Sequence, residues 1–364
     1  MRHSLIAVAL CIWTAGPLSA ETLSDGRRSI VLEGSQARIV VDILGGSIVD
    51  FHLTDHGLNP LRWANDGPTD EPRSMSHFLC LDRWGLPSEA EAANGMPGHG
   101  EATKVEWTVV EEGPTGVRMS ADLPMAGLHV DRLLDLAAED SWFYVVETVT
   151  NQNRLGRVYN MVQHPTLGPP FLDETVVVDS NATRGFMQGG AMPNPEEPSV
   201  VWPTALKDGE PVNLRYLAND HDPNVVSYVI DDQTGWVTAA NAARGLLIGY
   251  MWRTSEYPWL NMWRRVENGK PLARGLEFGT TGLHMPFSAL VRKGRIFGRQ
   301  IVDFLDASES KTRSYAGFLV EIPDRYRGVA KAELSSGTLT LVERGSGFTI
   351  EVAIPEEFSE GTHQ

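Results

Sequence analysis

Apolar and polar side chains alternate with a period of two along residues 128–149, and this pattern constrains the fold more than any other feature of the sequence. Successive side chains of a β-strand point to opposite faces of a sheet, whereas a helical stripe repeats every 3.6 residues. Residues 138–141 (AEDS) are turn-like and divide the stretch in two, so we predict an antiparallel hairpin. Residues 131–139 also fit a short helix, but alternation on both sides favours a strand. The alternating positions are Leu128, Val130, Arg132, Leu134 and Leu136, followed by Phe143, Val145, Glu147 and Val149.

Similar short segments recur along the chain. Thirty-five Gly and 22 Pro lie dispersed between them, which is typical of many strands joined by turns. The sequence has no polar linker and no repeat of propeller-blade length, although 364 residues could form two domains. An all-β fold, a large antiparallel β-sandwich in one domain, is therefore the simplest prediction. The other predicted strands are residues 37–44, 104–110, 175–179, 225–230, 236–239, 246–252, 318–322, 338–342 and 348–354.

The N-terminus is typical of a secretory signal peptide. Arg2 supplies a positive charge, residues 5–13 are uncharged, and the small residue Ala20 precedes the polar Glu21. We predict a signal peptide over residues 1–20 and a mature domain over residues 21–364, exported to the periplasm or the extracellular space. A buried N-terminal strand is the alternative. The apolar run is too short to span a bilayer, so we expect no stable membrane insertion.

The two cysteines limit how the mature chain is stabilised. Cys11 lies inside the apolar run after Leu10, a poor context for lipidation, and it leaves with the signal peptide. Only Cys80 remains. This excludes an internal disulfide framework and a zinc site built from several cysteines.

Charge excludes further classes of partner. The chain has 47 Asp and Glu against 31 Lys and Arg, a net charge of −16 and a pI near 5.1. A nucleic-acid binder needs clustered basic residues to neutralise phosphates, and an anionic membrane surface also attracts basic segments. We therefore expect no nucleic-acid partner, and a small molecule is the better candidate.

An aromatic cluster points to a carbohydrate as that small molecule. Sugars are bound by aromatic faces together with fixed polar groups. Half of the cluster is expected to fill the core, and one or two rings, with Trp259 and Trp263 the candidates, are expected to face a sugar. The cluster consists of Tyr250, Trp252, Tyr257, Trp259 and Trp263.

Two histidines and a glutamate are the candidates for acid/base chemistry. His99 lies among three glycines and a proline, which shape the backbone to present its ring or to admit a ligand. His164 follows strand-like residues and precedes Pro165, which favours an extended backbone. Glu277 lies between Leu and Phe, and an apolar setting raises a carboxyl pKa towards the range useful for proton transfer. A structural role for each histidine, and a salt bridge from Glu277 to Arg274 or another arginine, remain as alternatives.

Six short motifs follow one another along the chain: LGGSIVDFHL (44–53), NPLRW (59–63), NGMPGHGE (94–101), QHPTLGPPFLD (163–173), WLNMWRR (259–265) and GLEFGTTG (275–282). Taken in order, these motifs resemble the galactose mutarotase-like (aldose 1-epimerase) superfamily, and more closely a divergent bacterial branch of uncharacterised epimerase-related proteins. The resemblance covers roughly residues 39–287. It implies a large β-sandwich of the supersandwich type and no cofactor.

The resemblance also implies roles for single residues. In aldose 1-epimerases a glutamate takes the proton of the anomeric hydroxyl while a histidine protonates the ring oxygen, so that the pyranose opens and recloses as the other anomer. Carried over, Glu277 is the general base, His164 the general acid, and His99 hydrogen-bonds the sugar near its ring oxygen. Arg83 in LDRW is the nearest counterpart of the family's substrate-binding arginine. The family's sugar-binding aspartate has no counterpart here.

Three functions follow as hypotheses. The first is an exported mutarotase-like isomerase acting on an aldose or a uronate. The second is a carbohydrate-binding sandwich without turnover. The third is a metal-dependent enzyme using His99, Glu101, His164 and Glu277, although Glu101 can equally be exposed or pair with Lys104. His284 and His77 either line the same groove or are structural.

Overall fold

A computed structural model describes residues 21–22, 26–66, 68, 70–189 and 194–354. The predicted signal peptide, with Cys11, lies outside these residues. The strands are β1 (Glu21–Thr22), β2 (Arg28–Glu33), β3 (Ala37–Asp42), β4 (Ile48–Leu53), β5 (His77–Asp82), β6 (Thr108–Glu112), β7 (Gly116–Leu123), β8 (Leu128–Leu136), β9 (Trp142–Asn151), β10 (Arg157–Leu167), β11 (Val177–Ser180), β12 (Arg184–Met187), β13 (Val200–Val201), β14 (Thr204–Lys207), β15 (Glu210–Asn213), β16 (Val225–Val229), β17 (Thr234–Asn241), β18 (Leu246–Arg253), β19 (Trp259–Glu267), β20 (Lys270–Gly279), β21 (Arg295–Ile296), β22 (Arg299–Gln300), β23 (Asp303–Leu305), β24 (Ser310–Glu321), β25 (Val329–Ser335), β26 (Thr338–Glu343) and β27 (Thr349–Ala353). Two short helices, α1 (Glu89–Ala93) and α2 (Phe287–Lys293), and a 3₁₀ turn (Ala242–Arg244) lie between them.

Two large sheets dominate the described part of the chain. A twelve-stranded sheet has the order β1-β2-β3-β4-β5-β10-β20-β19-β16-β12-β13, with β23 paired to β10. An eight-stranded sheet has the order β11-β17-β18-β24-β9-β8-β7-β6. The strand pairings in both sheets are antiparallel. The prediction of a large antiparallel β-sandwich is confirmed.

The predicted hairpin is also confirmed. β8 and β9 pair from Leu128 opposite Asn151 to Leu136 opposite Phe143. Buried and half-buried residues alternate along β9, because one face packs into the core and the other faces out. Each of the other predicted segments overlaps a strand, but β6 begins at Thr108 because residues 101–105 form turns.

The main hydrophobic core lies between the two sheets. Leu79 and Leu276 of the twelve-stranded sheet belong to the same buried cluster as Val145 and Ile248 of the eight-stranded sheet. The Phe51 and Phe143 rings from opposite sheets meet edge to face, 4.9 Å between centroids. A hydrophobic core of this size between the two sheets stabilises the fold without disulfides.

A third layer, the three-stranded sheet β25-β26-β27, covers the outer face of the eight-stranded sheet. Its anchor is the fully buried Asp179 on β11, which accepts hydrogen bonds from Arg215, Arg344 and the Val329 amide. The outer face of the twelve-stranded sheet instead carries loops, and the candidate site lies beneath them. No helix in the described residues is long and apolar enough to cross a membrane.

Candidate functional site

The register of β5, β10 and β20 brings the two predicted catalytic residues together. His164 on β10 pairs with Phe78 on β5, and its neighbour Gln163 pairs with Phe278 on β20. His164 and Glu277 therefore become neighbours on one face of the sheet, because side chains alternate along both strands. That face is the outer one, since Phe278 on the opposite face belongs to the main core.

His164 and Glu277 form a buried pair. The distance between His164 Nε2 and Glu277 Oε1 is 3.1 Å, and their side chains are only 6% and 1% exposed. His164 Nδ1 lies 2.9 Å from Thr166 Oγ1, whose own proton is donated to the His164 carbonyl oxygen. Thr166 Oγ1 therefore accepts from Nδ1–H. A hydrogen bond between Nε2 and the carboxylate then needs one proton, on either Nε2 or Oε1.

Trp84 holds the other oxygen of this carboxylate. Its indole Nε1 donates to Glu277 Oε2 at 2.6 Å, and the ring is buried. A donor to a charged acceptor in a dry setting makes a strong hydrogen bond. The edge of the His284 ring packs against Trp84, 4.9 Å between centroids. Oε1 is thus left as the oxygen that can exchange a proton with His164.

His99 reaches the same cluster from the loop before β6. Its φ is +64°, and the following Gly100 has a φ of +76° with no room for a side chain, since a Cβ would lie 1.8 Å from the Leu81 carbonyl oxygen. The His99 ring centroid lies 5.9 Å from that of His164 and 5.5 Å from that of His284. Burial, and then the positive charge that His164 and His284 can carry, lower the His99 pKa to about 3. His99 is therefore neutral at neutral pH and serves as a hydrogen-bonding group.

Glu101 is neither exposed nor paired with Lys104, contrary to expectation. Its carboxylate is buried and accepts from the backbone amides of Met125 (3.2 Å) and Ala126 (2.7 Å). This clamp ties the loop that carries His99 to the turn between β7 and β8. Sequence position predicted the wrong environment because the partners are 24 and 25 residues away.

Aromatic rings surround the pair. Phe78 stacks on the His164 imidazole with 4.1 Å between centroids, and Trp263 meets its edge at 5.8 Å. Trp63 contacts both Phe78 and Trp263, at 6.2 and 5.4 Å. Trp63 and Trp263 are half-buried, so part of each ring remains available to a ligand.

The structure does not bring Arg83 or Trp259 to this cluster. The buried Arg83 is paired with Asp82 at 2.7 Å and with Glu91 at 3.0 Å. The Trp259 ring has no exposed surface, donates to the Gln300 carbonyl oxygen, and packs in a separate hydrophobic cluster. A sugar contact by either residue remains a prediction from sequence.

Other sequence alternatives are resolved by side-chain direction. Arg274 does not pair with Glu277; its guanidinium donates to the Leu214 carbonyl oxygen. His77 is buried on the core side of the sheet against Tyr250 and Tyr315, whereas His284 lies in the cluster.

Metal binding has no support from the described residues, among which no group of three or more His, Cys, Asp or Glu side chains is arranged to hold an ion. In particular, Glu101 points into the backbone amides described above rather than towards the imidazoles.

Sequence reasoning missed three members of the site. Trp84 follows Arg83 directly, but nothing in the sequence indicates a partner 193 residues away. Thr166 lies two residues after His164, a spacing that places both on one face of a strand and offered a usable signal. Asn261 pairs with Glu277 across β19 and β20; it is fully buried, and its Oδ1 has no partner among the described residues.

No protein-family model and no curated protein matches the chain. Solved structures do match. A galactose mutarotase related enzyme from Lactobacillus acidophilus has a TM-score of 0.61 at 10% identity, covering 81% of this chain and 98% of that one. A galactose mutarotase-like protein from Clostridium acetobutylicum has a TM-score of 0.60 at 14% identity, with 84% and 98% covered. A protein from Escherichia coli K12, provisionally described as an aldose 1-epimerase, has a TM-score of 0.58 at 14% identity, with 81% and 99% covered.

These likenesses extend over nearly the whole of each solved structure. The chain therefore has the galactose mutarotase-like fold, as the sequence motifs predicted. The low identities agree with a divergent branch.

Proposed function

We propose that this chain is an exported carbohydrate-active isomerase that interconverts sugar anomers by acid/base opening of the ring. The observation that carries the proposal is the buried pair of His164 and Glu277, with 3.1 Å between Nε2 and Oε1, on a sheet face lined by tryptophans. The site needs no cofactor for this reaction. Export rests on the N-terminal pattern and is checked by the mass of the mature protein, which should begin at Glu21.

The pair fits the chemistry of ring opening. The anomeric oxygen and the ring oxygen are bonded to the same carbon, so a base and an acid that act on them must lie side by side. Glu277 takes the proton of the anomeric hydroxyl as the C=O bond forms and the bond from that carbon to the ring oxygen breaks. His164 Nε2 gives its proton to the ring oxygen. Rotation of the aldehyde and the reverse transfers then close the ring as the other anomer.

Neighbouring groups have supporting roles. Trp84 fixes Glu277 through Oε2, so that Oε1 faces His164 and the reacting hydroxyl. His99, neutral because of its lowered pKa, hydrogen-bonds the sugar near its ring oxygen. The buried Oδ1 of Asn261 has no donor among the residues that the structure describes, and a sugar hydroxyl would satisfy it, which offsets the cost of an unpaired buried acceptor. Trp63 and Trp263 offer apolar faces to the sugar ring.

A carbohydrate-binding protein without turnover is the second candidate. It is favoured by one observation, the engagement of Arg83 with Asp82 and Glu91. An arginine held in this way is not free to bind substrate as the family's arginine does.

A mutarotation assay separates the two candidates. Anomer exchange is followed by NMR or polarimetry across a panel of aldoses and uronates. We expect wild type to accelerate exchange of at least one sugar, and Glu277→Gln and His164→Ala to lower kcat by about 10²- to 10⁴-fold, because each removes one proton transfer. Binding of a sugar with no acceleration would support the binding protein. Unchanged rates in both variants would show that the reaction occurs elsewhere.

A further inference from the structure

A cavity lies beside the His164 and Glu277 cluster, on the same outer face of the twelve-stranded sheet. Its volume is about 560 Å³, within the usual range for a small-molecule site. Trp63 lines it and also contacts Phe78 and Trp263, the two rings that flank His164. The cavity is therefore one side chain away from the proposed reaction centre.

Backbone hydrogen bonds fix the position of Trp63, which lies between the cavity and the cluster. The Ser76 amide donates to the Trp63 carbonyl oxygen, and the Thr166 amide donates to the Ser76 carbonyl oxygen. Thr166 is the residue that fixes the His164 ring. Trp63 thus has a set position relative to the acid/base pair, with the cluster on one side and the cavity on the other.

Basic side chains contribute to the lining of this cavity. Arg62 and Arg73 line it, while the chain as a whole carries a net charge of −16. The one acidic side chain in the lining is Asp50, which is paired with His52 at 2.8 Å. Arg62 is exposed and forms no ion pair or hydrogen bond among the described residues, so its guanidinium is available to a ligand.

We propose that the cavity is a subsite for an acidic sugar unit, and that the substrate is an oligosaccharide. Its reducing-end unit lies at His164 and Glu277, and the next unit places a carboxylate or sulfate on Arg62 against the Trp63 ring. The inference deepens the proposed function and rests on it for the placement of the reducing end. Guanidinium groups bind carboxylate and sulfate oxygens through two parallel hydrogen bonds, and a half-buried indole covers a sugar ring.

Calorimetric titration of the mature protein with defined sugars tests the subsite. The probes are galactose, lactose, digalacturonate and lactose 3′-sulfate; the last two are the acidic arms and distinguish a carboxylate from a sulfate. At least one acidic disaccharide should bind more tightly than lactose, and Arg62→Gln should raise its Kd by about 5- to 30-fold. The Kd of any neutral sugar that binds should stay within about twofold, because that sugar makes no ionic contact.

Two further variants keep the test decisive. Arg118→Gln removes another exposed arginine, on the eight-stranded sheet and outside the cavity, and should leave every Kd unchanged. Ala64→Phe fills the cavity from an exposed position and should weaken disaccharides more than galactose. Equal effects of the Arg62 and Arg118 variants, or no preference for either acidic disaccharide, would overturn the subsite.

Failure of the subsite is distinguishable from failure of the proposed function. Mutarotation of monosaccharides with no acidic preference would leave the isomerase intact and remove the subsite. Arg62-dependent binding of an acidic disaccharide without mutarotation would keep the subsite and assign the protein to the binding class.

Discussion

Two buried glutamates, Glu147 on β9 and Glu277 on β20, contact opposite faces of strand β10. Glu147 is in the core and accepts from Arg132 Nε at 2.7 Å and from Gln163 at 2.5 Å. Glu277 is on the outer face and is paired with His164, the residue after Gln163. Both carboxylates are almost fully buried.

The two glutamates differ in the partner, not in the burial. A guanidinium does not release its proton in a protein, so Arg132 and Glu147 form a fixed charge pair. An imidazole nitrogen can either donate or accept a proton, so the pair of His164 and Glu277 has the groups that acid/base chemistry needs. Burial of a carboxylate therefore does not distinguish the candidate site from the core. The imidazole partner of Glu277 does.

The largest effect is expected when the ion pair between Arg132 and Glu147 is broken. Arg132→Met leaves Glu147 as a buried charge without its cation and should lower the free energy of unfolding by about 3–5 kcal/mol. Chemical denaturation followed by fluorescence measures the change. The double variant Arg132→Met/Glu147→Leu should regain most of it, and a single-variant loss below about 1 kcal/mol would show that the pair contributes little.

A smaller effect is expected when the hydrogen bond from Trp84 to Glu277 is removed. Trp84→Phe keeps an aromatic ring but removes the donor to Glu277 Oε2, and should reduce kcat by about 10- to 100-fold, because a hydrogen bond to a charged group is lost. Mutarotation kinetics as a function of pH are the measurement, since a misplaced or altered base also shifts the pH profile. Trp142→Phe, on the eight-stranded sheet, is the matched control. A Trp84→Phe profile that superimposes on wild type would remove Trp84 from the site.

The smallest effect concerns stability at acidic pH. Burial lowers the His99 pKa to about 3, whereas the unfolded chain takes up this proton near pH 6.5. The contribution of neutral His99 to the free energy of unfolding is therefore fully present above pH 6.5 and is lost as the pH falls towards 3. His99→Asn, which tolerates the positive φ, should reduce the drop in unfolding free energy between pH 7 and pH 5 by about 1–2 kcal/mol. His77 and His284 are present in both proteins, so an identical pH dependence would contradict the assignment to His99.

Much of the fold could be predicted because strand periodicity is local. The hairpin of residues 128–149 follows from alternation around one turn, and each of the other predicted segments overlaps a strand. Local pattern did not define the strand order, in which β10 lies between β5 and β20. That order depends on contacts between residues more than 70 positions apart.

The residues of the candidate site also fall into two groups, those that local sequence identifies and those that it does not. His99, His164 and Glu277 could be identified from their neighbours in sequence, because glycines, a proline and flanking apolar residues shape each local environment. Trp84 and Asn261 could not, because a tryptophan in a core and a tryptophan that donates to the Glu277 carboxylate look alike until the sheet is assembled.

The sequence by itself determined an all-β sandwich and the absence of a disulfide framework, and it singled out His99, His164 and Glu277, which the structure brings together. Only the tertiary structure decided that Glu277 meets His164 rather than Arg274, that Arg83 is held by Asp82 and Glu91, and that Trp259 is core. The physical reason is that side-chain alternation is a property of each strand, whereas the choice of partner depends on the register between strands distant in the chain.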